Sequence, residues 1–133
     1  MSLVLDASLT LSWYFEEERT PAVDAVLEQV TENGAWVASL WRLQVALRRN
    51  RPDISFRDKA LAELSRMPVT IDSDTAVYAW SATLRRAERS RLTLYDAAYL
   101  EPSERRHLAL ASLDQPLRAA AGALSLELLG MAN

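Results

Sequence analysis

Short apolar runs alternate along this chain with longer stretches in which apolar residues recur every three or four positions. That alternation is the pattern of βα units built around a parallel sheet. The short runs predict strands near 2–5, 35–38, 69–71, 109–111 and 126–129, and the amphipathic stretches predict helices near 9–16, 21–33, 40–50, 54–66, 74–90, 94–106 and 116–123. The second helix is the best punctuated. Thr20 is its N-cap, Pro21 takes the first helical position, Val23, Val26, Leu27 and Val30 share a face, and Gly34 stops it. The long helix after Asp72 sets Val77, Trp80, Leu84 and Ala87 on one face, with its arginines mostly elsewhere.

No internal repeat, low-complexity tract or linker interrupts the pattern, and 133 residues suit one domain, 1–133, with a real core. There is no cysteine, which excludes disulfides, thiolate zinc sites and cysteine nucleophiles and is compatible with a reducing cytoplasm. The first apolar run has no basic segment ahead of it and is broken at once by Asp6, so it does not read as a secretory signal; no apolar stretch approaches membrane-spanning length. Eighteen acids against fifteen bases leave a net charge of −3, so any nucleic-acid contact must be local. Fourteen of the fifteen bases are arginine. They cluster at Arg48, Arg49 and Arg51 and again at Arg85, Arg86, Arg89 and Arg91; most such runs are solvated helix faces, and Arg48, Arg49, Arg85 and Arg86 are the candidate phosphate contacts.

The chemistry lies in three aspartates set beside apolar runs. Asp6 ends Leu3-Val4-Leu5, Asp114 ends Leu108-Ala109-Leu110-Ala111-Ser112-Leu113, and Asp96 sits within Thr93-Leu94-Tyr95-Asp96-Ala97-Ala98-Tyr99-Leu100. Singly, each is an ordinary capping residue. Asp6 and Asp114 stand at strand-to-helix turns, and Asp96 follows Thr93 at capping-box spacing. Together they point further, because residues at the carboxyl ends of strands in an open parallel sheet share one crevice. Carboxylates gathered there repel unless a cation lies between them, which makes Mg2+ or Mn2+ the expected cofactor and phosphodiester hydrolysis the expected chemistry. Ser8 and Ser112 are placed to hydrogen-bond those carboxylates or the turn backbone. With one histidine, His107, paired-histidine ribonuclease chemistry is excluded; with three glycines there is no phosphate-cradling loop.

Four segments resemble the PIN-domain family, and within it the VapC toxins of toxin–antitoxin pairs: Leu3-Val4-Leu5-Asp6-Ala7-Ser8, Ser39-Leu40-Trp41-Arg42-Leu43, Leu92–Leu100 and Leu110-Ala111-Ser112-Leu113-Asp114. The resemblance implies a three-layer α/β/α sandwich with a parallel sheet of about five strands. It also implies a divalent-metal-dependent endoribonuclease that hydrolyses RNA by metal-activated water, with Asp6, Asp96 and Asp114 as catalytic and metal-holding residues. A homodimer and a cognate VapB-like antitoxin follow from the same resemblance, and the cysteine-free composition goes with an expected cytoplasmic location. The aromatic run Trp13, Tyr14, Phe15 exceeds what one buried face of a short helix needs, so Trp13 and Tyr14 are candidates for partner binding.

The chain also departs from the family. Gln44 and Leu47 stand where a glutamate and an asparagine are usual, the third helix is short, Pro116 replaces a further acid, and Pro102 falls inside the helix begun by Asp96, where a kink or early end is expected. Gln44 keeps one carbonyl oxygen as a supporting ligand. Two other readings stay open: a catalytically weakened PIN-fold binding module paired with an antitoxin, and a structure-specific DNA nuclease using the same acids.

Overall fold

A computed structural model describes residues 2–47 and 54–131, with backbone alone for 54–57. Five strands, β1 (Leu3–Leu5), β2 (Ala35–Val37), β3 (Val69–Ile71), β4 (Ala109–Ala111) and β5 (Leu128–Leu129), form one parallel sheet in the order β3-β2-β1-β4-β5. The helices are α1 (Ala7–Ser12), α2 (Pro21–Asn33), α3 (Trp41–Leu47), α4 (Ile54–Leu64), α5 (Thr75–Tyr78), α6 (Ala82–Ser90), α7 (Leu94–Arg106) and α8 (Gln115–Ala123). They flank the sheet as a three-layer α/β/α sandwich. Central β1 is buried along its whole length, as a parallel strand covered on both faces must be. Strand order reverses between β1 and β4, whose registers pair Leu5 with Ala111. The carboxyl ends of those two strands therefore flank the crevice where open α/β sheets bind ligands.

Local signals explain most element ends. The Thr20 hydroxyl accepts the Val23 N–H at 3.2 Å, and Gly34 closes α2 with φ of 78° while its N–H donates to Val30 at 2.8 Å. A Cβ on Gly34 would stand 2.9 Å from the Pro68 carbonyl oxygen, so backbone angle and space both demand glycine.

The structure corrects three expectations. The helix expected over 74–90 is two helices, because Ser81 leaves the helical region with φ of −131° and ψ of −99°. The break rotates the faces, so α6 buries Thr83 and Ala87 while Val77 is 69% and Trp80 87% exposed. Pro102 does not end α7, which continues to Arg106. Finally, α1 starts at Ala7 and stops at Ser12, with a separate 3-10 turn over Glu16–Glu18 in place of a helix reaching residue 16.

The far end of α7 is held by a charge cluster. Asp72, fully buried after β3, accepts from Arg105 and Arg106, each at 2.8 Å, and from the Thr75 hydroxyl at 2.9 Å. Arg105 also pairs with buried Glu101 at 2.6 Å and lies over the Tyr78 ring, while Arg106 lies 3.5 Å from the centre of the Trp36 ring. A third acid, Asp74, lies 3.9 Å from Arg105 at the exposed edge of the cluster. Burial alone would raise the Asp72 pKa, but the hydrogen bonds from Arg106, Thr75 and Arg105 and the charge of Arg105 outweigh it and hold it below the ordinary 3.8. Such a depressed group contributes stability that is fully present above its unfolded value and lost as pH falls through the folded one. Asp72→Asn is expected to cost about 3 kcal/mol near neutral pH, since it removes the buried partner of two half-buried guanidiniums. Urea titrations of parent and variant should converge only below the ordinary aspartate value; a gap that persists unchanged in acid would remove Asp72's charge from the account.

Candidate functional site

Asp6 is the buried centre of the β1–β4 seam, 1% exposed. Its Oδ1 caps α1 by accepting the Leu9 N–H at 3.0 Å, Ser8 Oγ reaches both carboxylate oxygens at 2.8 and 2.9 Å, and Ser112 Oγ donates to Oδ2 at 2.6 Å. The serines also serve the facing turn. Ser8 Oγ accepts the Leu113 N–H and Ser112 Oγ accepts the Asp114 N–H, both at 3.0 Å. The two hydroxyls thus fasten the ends of β1 and β4 through one carboxylate.

Asp114, half-buried, accepts the Leu117 N–H at 3.0 Å as the N-cap of α8. The turn behind it is clamped by Arg118, whose Nη1 donates to the carbonyls of Ser112 at 2.8 Å and Leu129 at 2.9 Å. Asp96 lies in the first turn of α7, its N–H capped by the Thr93 hydroxyl at 3.1 Å, where the helix dipole favours a negative charge. It opens into a groove of about 520 Å³ walled by Leu40, Leu43, Leu47 and Tyr95, with Gln44 beside it.

Gln44 reaches that groove through a relay. The buried Trp41 indole donates to Thr10 Oγ1 at 3.0 Å, and the Thr10 hydroxyl donates to the Asp6 carbonyl at 2.8 Å. This locks α3 on α1 and leaves Gln44, three residues on, facing α7. Its Oε1, expected as a spare ligand, accepts the Tyr99 hydroxyl. Sequence reasoning passed over Tyr99, Thr10 and Arg118; the spacing of Tyr99, three after Asp96 on the same helix, was the available signal.

Of the partner candidates, Trp13 is a core residue. It is 6% exposed, and its indole donates to the Val23 carbonyl at 3.0 Å, joining α1 to α2. Tyr14 is partly exposed, its phenol pushed up to about 12 by burial and the neighbouring Glu63 carboxylate. Arg85 is exposed, Arg86 is paired with Glu104, and Arg48 and Arg49 lie outside the described residues.

The topology puts Asp6 and Asp114 on one seam and Asp96 at the mouth of the adjoining groove. Among the described residues no group of three Asp, Glu or His side chains forms a ready-made metal cage. The donors are nevertheless all hard oxygens. Magnesium typically takes one or two carboxylates and completes its shell with water and substrate phosphate, so the donor chemistry suits it. Ser112→Ala should show how far Asp6 depends on its donors. Loss of a buried partner is expected to cost 1–3 kcal/mol in urea unfolding, against a negligible change if the carboxylate is satisfied without it.

Among solved structures, the chain is similar to the crystal structure of PAE2754 from Pyrobaculum aerophilum, with 22% identity and a TM-score of 0.61 over 90% of this chain and 84% of that one. At that identity the likeness speaks for the fold. No protein-family model and no curated protein matches the sequence.

Proposed function

We propose that this chain is a magnesium- or manganese-dependent endoribonuclease of the PIN type resembling VapC toxins, acting in the cytoplasm as a homodimer and restrained by a VapB-like antitoxin. The observation that carries the reading is the Asp6 carboxylate, buried at the point where strand order reverses and held by a backbone N–H and two serine hydroxyls, Ser8 from the first turn of α1 and Ser112 from just after β4. Burying a carboxylate is costly, and mere capping needs one oxygen. Asp6, Asp96 and Asp114 would hold the ion. When bound, it lowers the pKa of water and offsets charge on the departing 3′ oxygen. Ser8 and Ser112 fix the Asp6 carboxylate, Thr93 orients the first turn carrying Asp96, and Tyr99 holds Gln44 against α7.

Calorimetry with manganese tests the assignment directly. Asp6→Asn and Asp96→Asn should each weaken binding sharply, and wild-type affinity in both would refute the site. RNA fragments should carry 5′-phosphate and 3′-hydroxyl ends, because water rather than the ribose 2′ hydroxyl is the nucleophile; cyclic phosphate ends, or full cleavage in EDTA, would overturn the mechanism.

A second reading, the weakened binding module, has its own observation. Gln44 brings no charge, its oxygen is engaged by Tyr99, and Leu40, Leu43 and Leu47 stand exposed along the same groove. Gln44→Glu separates the two. One added carboxylate should tighten manganese binding about tenfold, about 1.4 kcal/mol, and raise cleavage. A variant that changes neither favours the binding module.

A further inference from the structure

We infer that the cleft between α6 and α7 is a second site, a phosphate-binding track for the backbone of single-stranded RNA running away from the Asp6 seam; the choice of RNA rests on the function proposed above. The cleft, about 260 Å³, is lined by Arg85, Arg86 and Arg89 of α6 and by Glu104 of α7. Positions 85 and 89 are one helical turn apart and 86 and 89 nearly so, so the three guanidiniums are neighbours on one helix surface. Glu104 accepts from Arg86 Nη2 with both oxygens, at 3.0 and 2.8 Å. It therefore neutralises one arginine and orients it, leaving the cleft with a surplus of two positive charges. The buried Nε of Arg86 has no hydrogen-bond partner among the described residues, a donor left over where polar groups are normally satisfied.

A neighbouring depression of about 510 Å³ is also lined by Arg86 and Arg89 and continues past Arg91 and Leu92 to Pro116. Pro116 is two residues from Asp114, and Leu92 is next to Thr93, the cap of the helix carrying Asp96. The two depressions thus join across shared arginines and lead toward the candidate site. From Arg85 to Arg91 the rise is roughly 9 Å, enough for more than one phosphate group. Arginine suits this task because its planar fork meets phosphate oxygens with two parallel hydrogen bonds. In a chain of net charge −3, such a strip supplies the local attraction that the global charge denies.

The test is the salt dependence of single-stranded RNA binding, measured by fluorescence anisotropy in EDTA with Asp96→Asn protein, so that neither cleavage nor metal enters. Each lost phosphate contact on a single strand lowers the slope of log K against log salt by about 0.7, so Arg85→Gln/Arg89→Gln should lower it by about 1.4, uniformly across RNA sequences. Arg66→Gln, an exposed arginine elsewhere, should leave the slope unchanged. Circular dichroism checks the fold, which exposed positions 85 and 89 should not disturb. An unchanged slope in the double variant, an equal loss in Arg66→Gln, or displacement of the RNA by millimolar inorganic phosphate at constant ionic strength would each overturn the track. A protein that binds no RNA at all would overturn the proposed function along with it, whereas RNA binding here with no cleavage by the wild-type chain in manganese would count against the function alone.

Discussion

The candidate site depends on keeping one carboxylate buried. Asp6 cannot lie inside the β1–β4 seam unless donors replace the water it has lost, and those donors dictate much of what surrounds it. Ser8 and Ser112 must be small and hydroxylated, since each must donate to the carboxylate while accepting a backbone N–H, Ser8 from the facing turn and Ser112 from its own. The carbonyl of the same residue anchors Thr10, and through it the Trp41 indole and α3. A change of the Asp6 side chain would therefore reach the strand ends and the first helix turn together, while the link to α3 hangs on its backbone carbonyl.

The second anchor is at the opposite end of α7. Its first turn carries Asp96 under a Thr93 cap, and its last turn carries Arg105 and Arg106 into Asp72, so both ends are charged in the sense the helix dipole favours. Pro102 removes one backbone donor from between them. Fixing the last turn to β3 and stacking its guanidiniums on Tyr78 and Trp36 offsets that loss, and the helix runs on to Arg106. The register of Asp96 and Tyr99 is thereby tied to a charge cluster at the far end of the helix.

The strands were legible because each is a short, almost wholly apolar run, and four of the five are found within a residue of their expected limits. Helices with explicit caps, α2 and α8, were legible for the same kind of local reason. The failures share a cause: periodicity reports which residues could share a face and says nothing of where the backbone breaks. Val77, Trp80 and Leu84 keep helical spacing on paper, but a break at Ser81 turns that face outward. Trp13 was misjudged because its polar atom finds a carbonyl ten residues away, a pairing no local pattern encodes. Asp72 was noted only as a boundary, since its arginine partners are more than thirty positions distant. At the site, the aspartates could be read from their turns, whereas the Tyr99 contact that occupies Gln44 could not.

An acidic pocket faces a difficulty when its ligand is itself an anion: the carboxylates that gather a cation repel the phosphates on which the cation is to act. Coulomb repulsion between unit charges a few ångströms apart amounts to several kcal/mol at a partly buried surface, so a cation and nearby positive side chains must together reverse its sign. Under the proposed function, the chain would separate these tasks in space. The seam sets the Asp6 carboxylate among serine hydroxyls, while the arginines of α6 line an adjoining depression that ends beside Pro116. Arginines packed onto the aspartates would neutralise them and compete with the ion. Set one helix away, they can attract a polyanion without competing for the ion. This division also explains why neither the overall charge of −3 nor any single cluster reveals the proposed function: what matters is the short distance over which the sign of the surface changes.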